Sequence, residues 1–357
     1  LLKQFGWSDA LQQQFAMHAA AGLIPARVVV QQRGLYEVAT DAGELHATLA
    51  GRLAYEAEDG DYPVTGDWVA VLARPDEGSA TIQHVLPRSS SFVRRDSGPG
   101  MARQQVVAAN VDVALLAASM NADLNPRRIE RYLATAWESG AEPVVVLTKA
   151  DMCADADERI GEIAAVAMGA PVVAVSAVTG AGLDALRAYL SPGRTAVLLG
   201  SSGVGKSTLV NALAGRMQMA TQAIREDDAR GRHTTTHREL VLLPGGALIL
   251  DTPGMRELGL WDAGDGMSAA FSDIEALAAQ CRFHDCRHES EPGCAVAAAL
   301  ESGALDAARW RAWGKLQREL AFQHNKDDPR AHAASRKVWV QRSKRNRAET
   351  KHRQRYE

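Results

Sequence analysis

The run TAVLLGSSGVGKSTLVNALAG, Thr195 to Gly215, constrains this chain more than any other stretch. It places an apolar strand, a turn of the form Gly200-x4-Gly205-Lys206-Ser207 and a helical segment in direct succession, which is the context in which such a turn cradles phosphate. Glycines let backbone N–H groups turn inward around phosphate oxygens, and the helix N-terminus adds partial positive charge. Gly200, Ser201, Ser202, Gly203, Val204, Gly205, Lys206, Ser207 and Thr208 are therefore expected to line a phosphate site. In it, Lys206 reaches the β- and γ-phosphates and the Ser207 hydroxyl ligates Mg²⁺.

Downstream, ALILDTPG ends a strand at Asp251 and continues to Gly254. Asp251 there can hold Mg²⁺ through water, and the Gly254 N–H can bond the γ-phosphate. Between the two motifs, GRHTTTHRE offers threonines for the remaining Mg²⁺ position. Thr235, 16 residues before Asp251, is the first choice and Thr234 the second. The residue after Gly254 is Met255, which cannot orient a water as a glutamine does in Ras-like enzymes. His233 is the nearest polar group able to do so, and a solvated loop histidine is the alternative reading.

Upstream, the strand PVVVLTKAD ends in Thr148, Lys149 and Asp151. Guanine presents N1–H and N2–H₂ donors side by side; a carboxylate accepts from both, so Asp151 is the candidate discriminator against adenine. Lys149 would lay its aliphatic stem over the base. Thr148 stands where such a signature usually has Asn; a hydroxyl can bridge to neighbouring backbone but does not reproduce both amide contacts. VSAVTG, carrying Ser176 and Ala177, ends the next strand and adds a second base-side element.

The strands around these motifs (VDVALLAAS, PVVVLTKAD, PVVAVSA, TAVLLG, ELVLLP, ALILDTPG) are continuous apolar runs alternating mostly with helical segments. That pattern gives a largely parallel sheet covered on both faces. Arg216 to Arg238 is polar and lacks periodicity, a candidate mobile loop. Ahead of the sheet, ARVVVQQ, GLYEVAT, ELHATLA, GDWVAVLA and ATIQHVL read as five short strands, matching an OB-fold or an SH3-like barrel. The chain is thus expected to be a multidomain α/β protein. A leader over 1–24 precedes an OB-like β-barrel over 25–88, an α/β nucleotide domain over 89–262 and a helical module with a basic tail over 263–357.

Four cysteines among 357 residues are too few for a disulfide framework, and three lie within CRFHDCRHESEPGC. Cys281, Cys286, His288 and Cys294 make a closed tetrahedral set of the structural zinc kind, one Zn²⁺ per chain. His284 is an alternative ligand, and Cys153 is expected to pack as a small apolar residue. The first fifteen residues lack the charged segment and apolar core of a signal peptide, and no apolar run is long enough to span a membrane, so a cytoplasmic chain is expected. The formal charge of −3 conceals a tail, residues 330–357, with ten Lys/Arg against two Asp/Glu. Its cations, with Trp339 and Tyr356, suit phosphates and unpaired bases; a solvated charged end is the other reading.

The motif order is guanine signature, Ser-Ala, phosphate loop, threonines, DTPG, a rotation of the ordinary GTPase order. Domain termini tend to lie close together, which makes such a cut tolerable. The set resembles the circularly permuted P-loop GTPases. With the barrel in front and the Cys/His module behind, the chain resembles the RsgA (YjeQ) family, the small-ribosomal-subunit-dependent GTPases of late ribosome assembly. The resemblance covers nearly the whole chain, and the cysteine spacing matches the family's zinc module. It implies hydrolysis of GTP to GDP and phosphate on the small (30S) subunit, rRNA as partner, and a monomer. A P-loop ATPase or kinase, and an RNA-binding assembly module with nucleotide as a structural ligand, are the alternatives.

Overall fold

The computed structural model describes residues 1–32, 34–57, 60–96, 103–121, 124–167, 169–215, 238–251, 271–283, 285–288 and 291–327. The leader folds. A 3₁₀ turn, Leu2–Phe5, precedes α1, Asp9–Ala20, whose N-terminus is capped by the Ser8 hydroxyl accepting from Leu11 N at 3.3 Å. Leu2, Phe5 and Phe15 are buried, and Trp7 meets Trp68 edge-on at 4.9 Å. Three apolar anchors scattered among glutamines give no periodic signal, which is why this segment reads as polar from sequence.

Next come β1 (Ile24–Gln32), β2 (Leu35–Thr40), β3 (Gly43–Leu49), α2 (Gly51–Glu56), β4 (Trp68–Arg74) and β5 (Ser79–Val85). Their pairings close a ring in the order β1-β2-β3-β5-β4-β1, antiparallel except for the parallel β3–β5 pair. This is a closed five-stranded barrel of OB type rather than the SH3-like alternative. Alternating residues fill it: Ala26 and Val28 of β1, Val38 of β2, Val69 and Val71 of β4, Ile82 of β5. A two-stranded ribbon, β6 (Ser91–Asp96) with β7 (Arg103–Ala109), follows.

The α/β sheet consists of β8 (Val113–Ser119), β9 (Glu142–Thr148), β10 (Val172–Ala174), β11 (Thr195–Leu199), β12 (Arg238–Leu242) and β13 (Leu248–Asp251). Its order is β10-β9-β8-β11-β13-β12, with every neighbouring pair parallel except β12–β13. The chain builds outward through β8, β9 and β10, then returns to lay β11 against β8. Strand order reverses there, and ligands of open α/β sheets sit outside the carboxyl ends at such a point. The edge strand β12 also pairs with β1 (Val30↔Glu239), so sheet and barrel run together as eleven strands.

Helices α3 (Pro126–Ser139) and α4 (Ala156–Val166) cover one face, where Ile129, Leu133 and Ile163 bury against Leu116, Val145 and Leu147. On the other, α5 (Leu183–Arg187) and α6 (Lys206–Ala214) bury Leu186, Leu209 and Leu213 against Leu115, Val144 and Val146. Odd and even strand positions thus serve opposite faces, as a doubly covered sheet requires. The C-terminal module comprises α7 (Ser272–Ala278), α8 (Ala295–Ser302) and α9 (Ala307–Asp327) around Phe271, Ile274, Val296 and Leu316, and its core includes Ala134 of α3.

One buried cation joins the first three parts. Arg27 of β1 donates to the carbonyls of Phe5, Gly66 and Asn110 (3.1 Å) and to the Thr195 hydroxyl (2.8 Å), with its guanidinium over the Trp68 ring at 4.9 Å. Burial pulls its pKa down to about 10, against the opposing fields of Asp112 and Asp67. Among the described residues no helix is long and apolar enough to cross a membrane.

Candidate nucleotide site and metal centre

At the carboxyl end of β11 the chain turns through Gly200, Gly203 and Gly205, with φ of +153°, +74° and +99°, into α6. A Cβ on Gly200 would lie 2.6 Å from the Ala117 carbonyl oxygen, so that position requires glycine. Val204 is buried beneath the loop, while Ser202, Gly203 and Thr208 face solvent and Ser207 is half-buried in the first turn of α6. Lys206 curls over the loop, its Nζ donating to the carbonyls of Gly200 and Ser201 at 2.7 Å each.

Two side chains of the TKAD turn reach this loop. Buried Thr148 donates from Oγ1 to the Val204 carbonyl at 2.6 Å, with the Ala118 carbonyl at 3.3 Å. Lys149, held in the left-handed region at φ +59°, sends Nζ to the Gly203 carbonyl at 2.9 Å. A lysine in that conformation is sparsely populated backbone, of the kind that gathers at ligand sites. Its stem crosses beside the loop, and Asp151 follows, exposed, in the turn Ala150–Met152.

The next turn is tied on by Ala150 N donating to the Val175 carbonyl at 3.1 Å. Buried Ser176 accepts at Oγ from Thr179 N at 3.1 Å, and Ala177 is half-buried beside it. Asp251 closes β13 on the same edge of the sheet, one strand over from β11. His233, Thr234, Thr235, Gly254 and Met255 lie outside the described residues, as does the segment 216–237. The structure therefore brings Thr148, Lys149, Asp151, Ser176, Ala177, Gly200–Thr208 and Asp251 to one end of the sheet.

Arg128, which sequence reasoning missed, also reaches this edge. It lies in the first turn of α3, where Asn125 Oδ1 accepts from Arg128 N, and donates Nη1 to Ser201 Oγ at 3.2 Å. An arginine after Asn-Pro at a helix start is the only trace of it in the sequence.

The metal-ligating candidates converge as well. Sγ of Cys281, Cys286 and Cys294 and a ring nitrogen of His288 all lie within 4.8 Å of one another. Cys281 and Cys294 each place Sγ 3.5 Å from His288 Nδ1 and 3.9 Å from each other. With metal–sulfur bonds of about 2.3 Å, a tetrahedron has edges of about 3.8 Å, so the donor set fits a closed four-coordinate ion. Cys294 caps α8, accepting from Ala297 N, and the His288 ring meets Trp310 edge-on at 5.6 Å. His284 lies outside the described residues. Cys153 is half-buried against the core beneath α3 and α4, as expected of a packing residue.

A largely buried ion cluster ties α3 to the C-terminal module. Arg309 of α9 forks onto Asp273 of α7 (Nε–Oδ2 2.7 Å, Nη2–Oδ1 2.9 Å) and gives Nη1 to Glu130 of α3 at 3.0 Å. Burial pushes Glu130 up to about 7 although Arg309 and Arg127 oppose it. Burial also acts to raise Asp273, but the Arg309 hydrogen bonds and charge outweigh it and hold that carboxyl below its ordinary value.

A phosphate loop at the switch point, a base-reading turn ahead of it in sequence yet bonded to it in space, and five parallel strands with one antiparallel edge define a circularly permuted GTPase. A family profile described as RsgA GTPase matches residues 85–261. The small ribosomal subunit biogenesis GTPase RsgA of Streptomyces coelicolor is 48% identical over 344 residues, 96% of this chain and 92% of that protein. The RsgA of Opitutus terrae is 46% identical, covering 95% of each. The crystal structure of YjeQ from Thermotoga maritima superposes with a TM-score of 0.63 at 28% identity, covering 84% of this chain and 99% of that one. YloQ, a circularly permuted GTPase, shares the fold with a TM-score of 0.60 at 22% identity, over 84% of this chain and 96% of its own. The chain belongs to the RsgA GTPase family, and GTP hydrolysis is its chemistry.

Proposed function

We propose that this chain hydrolyses GTP on the small ribosomal subunit during its assembly, coupling nucleotide state to binding and release. The observation that carries the site is the pair of bonds from Thr148 to Val204 and from Lys149 to Gly203, which weld the base-reading turn to the phosphate loop. In the reaction Lys206 leaves the Gly200 and Ser201 carbonyls for the β- and γ-phosphates. Asp151 accepts from guanine N1–H and N2–H₂, the Lys149 stem covers the base, and Ser176 and Ala177 close its far side. Ser207 and Thr235, with Thr234 as the alternative, would hold Mg²⁺ directly and Asp251 would hold it through water. When bound, such an ion would supply neutralisation of phosphate charge. The Gly254 N–H bonds the γ-phosphate. With Met255 unable to orient water, His233 does so, and His233→Ala should abolish stimulated turnover; unchanged turnover eliminates this role.

The three thiolates and the imidazole hold one Zn²⁺ as a structural ion. The units run over 1–24, 25–88, 89–262 and 263–357, and the chain acts as a cytoplasmic monomer. The small-subunit assignment rests on the relatives' names and on the basic tail, whose cations would release counterions on binding rRNA. Co-sedimentation with purified small subunits, with a GTP analogue and with GDP, at several salt concentrations, tests it. Binding should differ between nucleotides, and removing residues 336–357 should weaken it and flatten its salt dependence. No binding in either nucleotide state would refute the ribosomal reading and leave a P-loop enzyme with another partner.

A further inference from the structure

Helix α3 touches three bodies at once. At 100° per residue, Ile129, Leu133 and Ala136 share a face, and all three lie in the core beneath the sheet. Glu130 and Ala134, four apart, share the next face. Glu130 holds Arg309 there, and Ala134 lies within the core of the C-terminal module, with Trp137 packed on it. Arg128, about 200° round from Glu130, points the other way and bonds the Ser201 hydroxyl of the phosphate loop. Ser201 is thus held at both ends, its hydroxyl by Arg128 and its carbonyl by Lys206.

The Arg309 side cannot slip at little cost. Arg309 and Glu130 are 7% and 3% exposed, and the guanidinium lies over the Phe271 ring at 4.7 Å while forking onto Asp273. Removing Arg309 would leave the Glu130 carboxyl buried without its hydrogen-bond partner and Asp273 without its fork, so the docked arrangement is favoured over partial ones. A helix packed along its length moves as a unit. A displacement at Glu130 therefore arrives at Arg128, half a turn away.

We infer that Arg309 is a positioning residue for the phosphate loop, acting through Glu130 and α3 to set Arg128 against Ser201. The inference rests on the nucleotide-site reading above and adds to it the route by which the C-terminal module reports to that site. When Lys206 swings to the phosphates it gives up the Ser201 carbonyl, while the Arg128 bond to the Ser201 hydroxyl remains. A docked module thus favours a loop shaped for catalysis. A module loosened from α3 weakens the Arg128 hold on the Ser201 hydroxyl.

The test is a double-mutant cycle on the full chain: Arg128→Met, Arg309→Met and the double variant. GTP turnover with small subunits, KM for GTP, GDP affinity, metal content and thermal unfolding are measured for each. Each single variant should lose about tenfold in kcat with GDP affinity within about threefold, and the double variant should be no worse than the poorer single one. Arg309→Lys, which keeps the charge but not the fork, should fold with full metal content and still lose kcat. Multiplicative losses in the double variant would show that the two arginines act separately and would overturn the inference. So would full kcat in Arg309→Met or Arg309→Lys. Were the wild-type chain itself inert toward GTP, the nucleotide reading would fall and take this inference with it, a result distinct from active wild type with indifferent variants.

Discussion

Thr148 donates its hydroxyl to the Val204 carbonyl at 2.6 Å, so the residue standing where a guanine signature usually has Asn fastens the base-reading turn to the phosphate loop. The hydroxyl performs the bridging half of the amide's work. Thr148→Val keeps the shape and removes the donor, leaving the carbonyl of buried Val204 unpaired at a cost of about 1–3 kcal/mol. GDP and GTP affinity, measured with a fluorescent guanine nucleotide, should fall together by about tenfold, and Thr148→Ser should recover most of it. A loss confined to GTP would mean that Thr148 acts on the γ-phosphate side instead.

The donor set of Cys281, Cys286, His288 and Cys294 predicts one bound metal ion per chain, and Cys294→Ser should reduce that to a small fraction. Because Cys294 also caps α8, helical signal from the C-terminal module should drop while GDP affinity stays within about threefold. Elemental analysis and circular dichroism on the same samples report both. Full metal content in the variant would show that the ligand set is wrong.

Arg27 supplies hydrogen bonds to Phe5, Gly66, Asn110 and Thr195 from one buried guanidinium; Arg27→Met removes all four, and although the Gly66 carbonyl keeps the Asn110 amide, the carbonyls of Phe5 and Asn110 lose this donor. At about 1–3 kcal/mol for each buried unsatisfied group, a loss of about 3 kcal/mol or more is expected. Since these acceptors lie on the leader, the barrel and the sheet, thermal unfolding should also split into two transitions. A single transition at the wild-type temperature would contradict this role.

Glu130 yields a pH prediction. Burial raises it from 4.5 to about 7, against Arg309 and Arg127 and with help from Asp273. Between about 5 and 7 the folded chain therefore binds a proton that the unfolded chain releases, and stability falls as pH rises. The contribution is fully present below about 4.5 and lost as pH passes about 7. Glu130→Gln should flatten the difference in thermal stability between pH 5 and pH 7; equal slopes in wild type and variant would refute the assignment.

What sequence made legible follows from range. The phosphate loop is local, a strand, a turn and a helix within 21 residues, and the barrel strands carry their own alternation, so both read correctly. The ribbon SFVRRD and RQQVVAA alternates poorly and escaped notice, as did the short helix GRLAYE. Arg27 reads as a polar residue in a strand; its burial depends on Thr195, 168 positions away. The Glu130–Arg309 pair spans 179 positions, and nothing near either residue announces the other. Convergence of distant polar groups is set by tertiary packing, to which neighbouring sequence is blind.

The central claim is that the permuted order still builds one guanine-specific hydrolytic site, worked by the small subunit. Phosphate release from GTP and from ATP, each with and without purified small ribosomal subunits, tests it most directly. The account predicts slow release from GTP alone, a large stimulation by subunits, and little release from ATP in either condition. Preference for ATP, or GTP turnover indifferent to subunits, would contradict it.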